Sequence, residues 1–96
     1  MVIYEIDGAN FSTLDEFYDE ITRVVIPDVY WGRNLDAFDD ILSGGFGTPE
    51  EGFTLRWTNH KLSRQRLPKF ETLVEIIRVH GPGGSRSEDN VTLVLD

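Results

Sequence analysis

Three short apolar runs, 2–6, 53–57 and 91–95, stand far apart in this chain, and the stretches between them carry apolar residues at helical spacing. In the first run Val2, Ile3, Tyr4 and Ile6 surround Glu5. In the second, Phe53, Leu55 and Trp57 alternate with Thr54 and Arg56, the period of a strand with one buried face. The third is apolar at four of five positions, which predicts a strand covered on both faces. Leu14, Phe17, Tyr18 and Ile21 form a helical stripe that Val24 and Val25 extend, and Leu35, Phe38, Ile41 and Leu42 form a second. Phe70, Leu73, Val74 and Ile77 form a third, between the last two runs. The order is strand, helix, helix, strand, helix, strand, and helical crossovers between successive strands favour a parallel, right-handed arrangement. The expected class is α/β: one domain over residues 1–96, a three-stranded parallel sheet packed with three to four helices in two or three layers.

Local signals sharpen the boundaries. Asp7-Gly8 marks a turn, and Thr13 followed by Glu16 fits a capping box. Asp15, Glu16, Asp19 and Glu20 read as the wet side of the first helix, which Pro27 closes. Residues 58–66 are polar and basic, with room for one short helical turn. Pro68 suits the first turn of the last helix. His80-Gly81-Pro82 stops that helix, with His80 answering the dipole at its end, and 83–90 reads as a flexible polar loop.

Composition bounds the function. The 96 residues contain no Cys, which excludes disulfides and thiolate metal sites, and 40% hydrophobic content suffices for one core. No charged leader or long apolar run is visible, so a cytoplasmic protein with no membrane partner is expected. The net charge of −8 is uneven: residues 1–52 hold 12 Asp/Glu against 2 Lys/Arg, and residues 53–96 hold 5 against 7. An acidic first half repels nucleic acid and attracts basic partners.

The acidity concentrates in 29–45. Gly32 permits a sharp turn, Asn34 is a good N-cap, and Gly44 with Gly45 supplies a left-handed C-cap, predicting a helix over 34–43. Asp36, Asp40 and Ser43 share one face, with Asp39 beside them. Asp36 suits the helix N-terminus, whereas Asp39 and Asp40 oppose the dipole, and Asp36 and Asp40 repel across one turn by roughly 0.2–0.5 kcal/mol. A solvated acidic face and a face shaped for a cationic partner both fit. Tyr30, Trp31 and Phe46 bracket the helix. At least one of them is expected in the core, and the bracketing is also a hot-spot pattern.

Other chemistries find little support. Three helical carboxylates make no calcium cage, and an exposed Asp pair has no pocket to divide acid from base roles. No Gly-x-Ser-x-Gly elbow accompanies His60 or His80, and 44–47 lacks the Lys of a phosphate-binding loop. No cofactor or metal is expected.

Tyr30-Trp31-Gly32-Arg33-Asn34-Leu35-Asp36-Ala37-Phe38-Asp39-Asp40-Ile41-Leu42-Ser43-Gly44 resembles the signature of the barstar family, intracellular inhibitors of secreted bacterial ribonucleases. Ile26-Pro27-Asp28 and the Leu55-x-Trp57 strand fit as well, and the likeness in length and element order spans the chain. The resemblance implies an inhibitor and not an enzyme, with the second helix and its preceding loop plugging the ribonuclease active site in a 1:1 complex. It implies that Asp40 enters a cationic phosphate site, that Asp36 is a second acidic contact, that Tyr30 packs on the enzyme and that Gly44 ends the helix. The ribonuclease-facing set is then Tyr30, Trp31, Gly32, Asn34, Asp36, Ala37, Asp39, Asp40, Gly44 and Phe46, on a protein monomeric when free. Arg33 stands where the family has an acidic residue, Asp39 stands where it has Trp, and the aromatic after the helix is displaced to Phe46. These departures keep open an alternative, a barstar-fold binding module for another basic protein.

Overall fold

The computed structural model describes residues 2–44 and 47–96. Strand β1 (Ile3–Asp7) leads through a short 3-10 turn to helix α1 (Leu14–Val24) and then α2 (Leu35–Ile41). Strand β2 (Phe53–Thr58) is followed by α3 (His60–Arg66), α4 (Phe70–Val79), a 3-10 turn at Ser87–Asp89 and strand β3 (Val91–Leu95). The strands pair in parallel in the order β1-β2-β3, with Ile6, Trp57 and Leu95 in register. The expected α/β class with a three-stranded parallel sheet is what the chain forms.

The sheet order steps the same way twice. Two crossovers of one hand then land on the same face, and the opposite face stays bare. Side chains alternate accordingly. Ile6, Phe53, Leu55, Trp57 and Val91 are buried under the helices, while Glu5, Arg56 and Val94 point to water. The molecule therefore has two layers. The apolar run at β3 does not mean two covered faces: Val94 is 40% exposed, and Ile3 on the same bare face is 66% exposed. Arg56 anchors that face by pairing with Asp96 and, at 3.6 Å, with Glu5.

Aromatic rings fill the space between the layers. Trp57 lies 5.3 Å from Phe17, 5.7 Å from Phe11 and 5.2 Å from Phe70, centroid to centroid. Phe17 continues the chain of rings to Phe38 on α2 at 5.4 Å. The buried indole N–H of Trp57 donates to Ser63 Oγ at 3.0 Å, which accounts for α3. The stretch expected to hold one turn is two turns long, and its buried residue, Ser63, is polar. Pro68 lies outside α4, because Lys69 takes a left-handed conformation (φ 61°) as the N-cap and the helix starts at Phe70.

The first helix begins as expected, with Thr13 Oγ1 accepting from the Glu16 N–H at 3.1 Å. Glu16 reaches back one residue further than a capping box requires, to the Ser12 N–H at 2.9 Å. Glu20 is not on the wet side. It is 6% exposed and accepts from the Asp7 N–H (3.0 Å), the Asn10 amide (3.1 Å) and Arg23 (2.8 Å). It ties the end of β1 to α1. Burial pushes its carboxyl pKa up, but the bonds from Arg23, Asp7 and Asn10 together outweigh burial and hold it below the ordinary glutamate range.

Two predictions follow from this packing. Phe38→Ala, which empties a fully buried site between α2 and the core, is expected to lower stability by about 3–5 kcal/mol in urea unfolding. A depressed folded-state pKa means that Glu20 contributes stability above its unfolded-state pKa, and that this contribution fades as pH falls through the folded value. Glu20→Gln should therefore destabilise the protein at neutral pH and narrow its gap from wild type under acid. Parallel stability curves across that range would refute the assignment.

Candidate functional site

Helix α2 is entered through a reversal that only a few residue types tolerate. Gly32 (φ 79°) and Arg33 (φ 52°) both take left-handed conformations, and Asn34 returns to extended geometry as the N-cap. The Asn34 Oδ1 accepts from the Ala37 N–H at 2.8 Å. Trp31 fixes the entry from behind. Its indole N–H donates to Thr22 Oγ1 at 2.8 Å, and its ring meets Tyr18 edge-on at 5.4 Å. At the exit, the Thr48 hydroxyl donates to the Ile41 carbonyl at 2.8 Å, and Gly44 (φ 83°) turns the chain as the sequence predicts. Gly45 and Phe46 lie outside the described residues. Helix α2 runs over Leu35–Ile41, slightly shorter than the expected 34–43, and buries Phe38 and Ile41.

The outward face is an acidic crest between two recesses. Asp36 and Asp40 are exposed, one turn apart, and among the described residues no cation pairs with either. A recess of about 230 Å³ on one flank is lined by Val29, Tyr30, Trp31, Ala37, Asp40 and Ile41. The other flank, between α2 and α4, holds about 470 Å³ lined by Leu35, Asp36, Asp39, Glu75, Ile76 and Val79, among others. Tyr30 is 92% exposed, a large aromatic with almost no intramolecular contact. Acidic groups and an unburied ring rising beside apolar floors suit a convex insert into a cationic cleft.

The sequence-derived residues divide into three groups. Tyr30, Asn34, Asp36 and Asp40 are at the surface, with Gly32 beside them and Ala37 half-buried at the recess. Trp31 is 7% exposed and belongs to the core, leaving only its edge at the recess. Asp39 turns sideways: its Oδ1 is 2.6 Å from His80 Nε2 at the end of α4. His80 itself is fully buried and is neither a surface residue nor a simple dipole partner. A signal for this was present, since His80 continues the buried 70/73/74/77 stripe by one more step of three. Sequence reasoning missed the α4 wall of the second recess altogether.

The sequence matches a family described as "Barstar (barnase inhibitor)" over residues 1–95. A Bacillus subtilis (strain 168) protein named "Putative ribonuclease inhibitor YrdF" is 33% identical over 75 residues, covering 76% of this chain and 78% of that protein. The chain belongs to the Barstar family. The family's description is that of an inhibitor, not an enzyme.

Two departures from the barstar pattern now have a structural reading. Arg33 does not project with the acidic crest. Its guanidinium folds back on α1, 2.6 Å from Asp19 Oδ1 and 3.1 Å from the Asp15 carbonyl. Its positive charge is thus met within the molecule. Asp39, the second departure, makes a polar link to His80 at 2.6 Å. Among the described residues, no helix is long and apolar enough to cross a membrane.

The entry turn yields a test. A Cβ on Gly32 would sit in a left-handed conformation only 3.2 Å from the Ala37 Cβ. Gly32→Ala is expected to cost more than about 1 kcal/mol of stability in urea unfolding, because a side chain at positive φ is strained.

Proposed function

We propose that this chain is a cytoplasmic inhibitor of a secreted, cationic, guanyl-specific ribonuclease, occluding its active site in a 1:1 complex. The observation that carries the reading is the pair Asp36 and Asp40, without a cation partner among the described residues, on a capped helix beside the exposed Tyr30. A ribonuclease gathers cationic side chains around a phosphate. Two carboxylates at adjacent helix positions imitate that phosphate, and the excess of acid in residues 1–52 steers the approach.

In this reading Asp40 enters the phosphate site and Asp36 meets a second cation. Tyr30 packs over the rim, with the Trp31 edge and Ala37 lining the recess beneath it. Gly32, Asn34 and Gly44 hold the backbone close to the partner, Asp39 flanks the contact, and Phe46 completes the ribonuclease-facing set. The free protein is a monomer and binds neither nucleic acid nor membrane. The changed charge pattern at Arg33 and Asp39 favours a second reading, a barstar-fold module for another basic protein, should no ribonuclease be inhibited.

Inhibition titrations against guanyl-specific microbial ribonucleases test the proposal. A buried, charged hot spot is worth about 2–4 kcal/mol, a scale set partly on barnase and barstar themselves, so Asp40→Ala should weaken inhibition roughly 30- to 1,000-fold. Glu5→Ala, on the bare sheet face away from α2, should change it little, since its pair with Arg56 is exposed. Association should slow with added salt. Equal effects of the two substitutions would remove α2 from the interface.

A further inference from the structure

None of the roles above uses the buried His80. Its ring lies 2.6 Å from two carboxylates at once, Nε2 facing Asp39 Oδ1 and Nδ1 facing Asp89 Oδ2. Asp89 is 11% exposed at its side chain, and Asp39 40%. Arg86 completes the group, with Nε 3.6 Å from Asp89, Nη1 4.0 Å from Asp39 and Nη2 donating to Ser43 Oγ at 2.6 Å. The charged groups facing the ring are therefore Asp39 from α2, and Asp89 and Arg86 from the segment before β3. The backbone holds the ring in place: the His80 N–H donates to the Ile77 carbonyl at 3.1 Å, and the His80 carbonyl accepts from the Val91 N–H at 2.9 Å.

We propose that His80 is held as an imidazolium between Asp39 and Asp89 and is a positioning residue for the inhibitory helix, fixing α2 to the segment before β3; the inhibitory part rests on the function proposed above. A neutral imidazole carries one N–H and one lone pair, so it can donate to only one of its two carboxylates. The other contact would set a lone pair against an anionic oxygen at 2.6 Å, in a ring that water does not reach. An imidazolium donates to both, and short contacts are typical of charge-assisted bonds. With Arg86, the group holds two positive and two negative charges and is self-compensated.

This arrangement decides what Asp39 does. It lies on the acidic helix, but its charge is met from within, so it orients the crest and leaves Asp36 and Asp40 to face the partner. A seven-residue helix has little persistence of its own and depends on such attachments. Phe38 and Ile41 hold one side of α2. The Asp39–His80–Asp89 link holds another and spans from Asp39 to the chain's last strand connection.

Nitrogen-15 NMR of the imidazole in the free protein is the direct test. Two protected ring N–H groups are expected at neutral pH, and a single ring N–H there would overturn the proposal. A second measurement uses His80→Gln, which keeps one donor and removes the charge. Amide exchange within α2 should speed about tenfold, as should dissociation of the ribonuclease complex, while exchange in α1 stays unchanged. Asp39→Asn combined with His80→Gln should lose no more than the worse single variant, as expected of residues acting through one link. Wild-type exchange and dissociation in the variant, or additive losses in the pair, would overturn the positioning role. If no ribonuclease binds, the function proposed above fails, and NMR with exchange on the free protein still decides the link.

Discussion

The packing of Phe38 against Phe17 turns a segment with little helical persistence into a fixed projection. Helix α2 has seven residues and carries carboxylates that repel one another, so neither length nor charge favours it. Its stability comes from the buried side. Phe38 meets Phe17 at 5.4 Å, Phe17 meets Trp57 at 5.3 Å, and Trp57 lies at the centre of the sheet. A line of rings thus runs from the middle strand to the acidic helix. The caps at Asn34 and Thr48 each meet a backbone group at one end of α2, and its orientation is set by the buried side together with the link from Asp39 to His80.

Charges in this molecule follow a division of labour. Several acids are met by a cation: Asp19 by Arg33 and Asp96 by Arg56 from distant parts of the chain, Glu20 by Arg23 within α1, and Asp39 and Asp89 by His80 and Arg86. Asp36 and Asp40 are exposed on α2, and among the described residues no cation pairs with either. A like-charged pair on a short helix is a local disadvantage that a cationic partner relieves.

The parts of the fold read directly from the chain are those set by neighbours in sequence. Thr13, Asn34 and Gly44 act within a turn or two, and the alternation at Phe53, Leu55 and Trp57 needs no distant partner. The misread parts are buried polar groups whose partners lie far along the chain. Glu20 resembles a surface acid until the Asp7 N–H and Asn10 are brought against it. His80 resembles a helix terminus until Asp39 arrives from α2. Helix α3 has no apolar stripe, because the side chain it buries is Ser63, chosen by the Trp57 indole. The candidate site was legible as a motif at 30–44, and physical reasoning on those residues left a solvated face and a cationic partner both open. Family membership supports the second of these; the α4 wall and the direction of Asp39 needed the fold.

Every strand pairing here joins distant residues, Ile3 with Thr54 and Phe53 with Val91. Non-local parallel pairing delays assembly until the later strand is available. During synthesis the acidic segment leaves the ribosome well before β2 can pair with β1, and before Asp89 exists to complete the attachment of α2. A nascent chain halted within α4 would carry the whole 30–44 motif without the scaffold that aims it. The fixed presentation of α2 would then arise late and all at once, with β3, and not in proportion to the length already made.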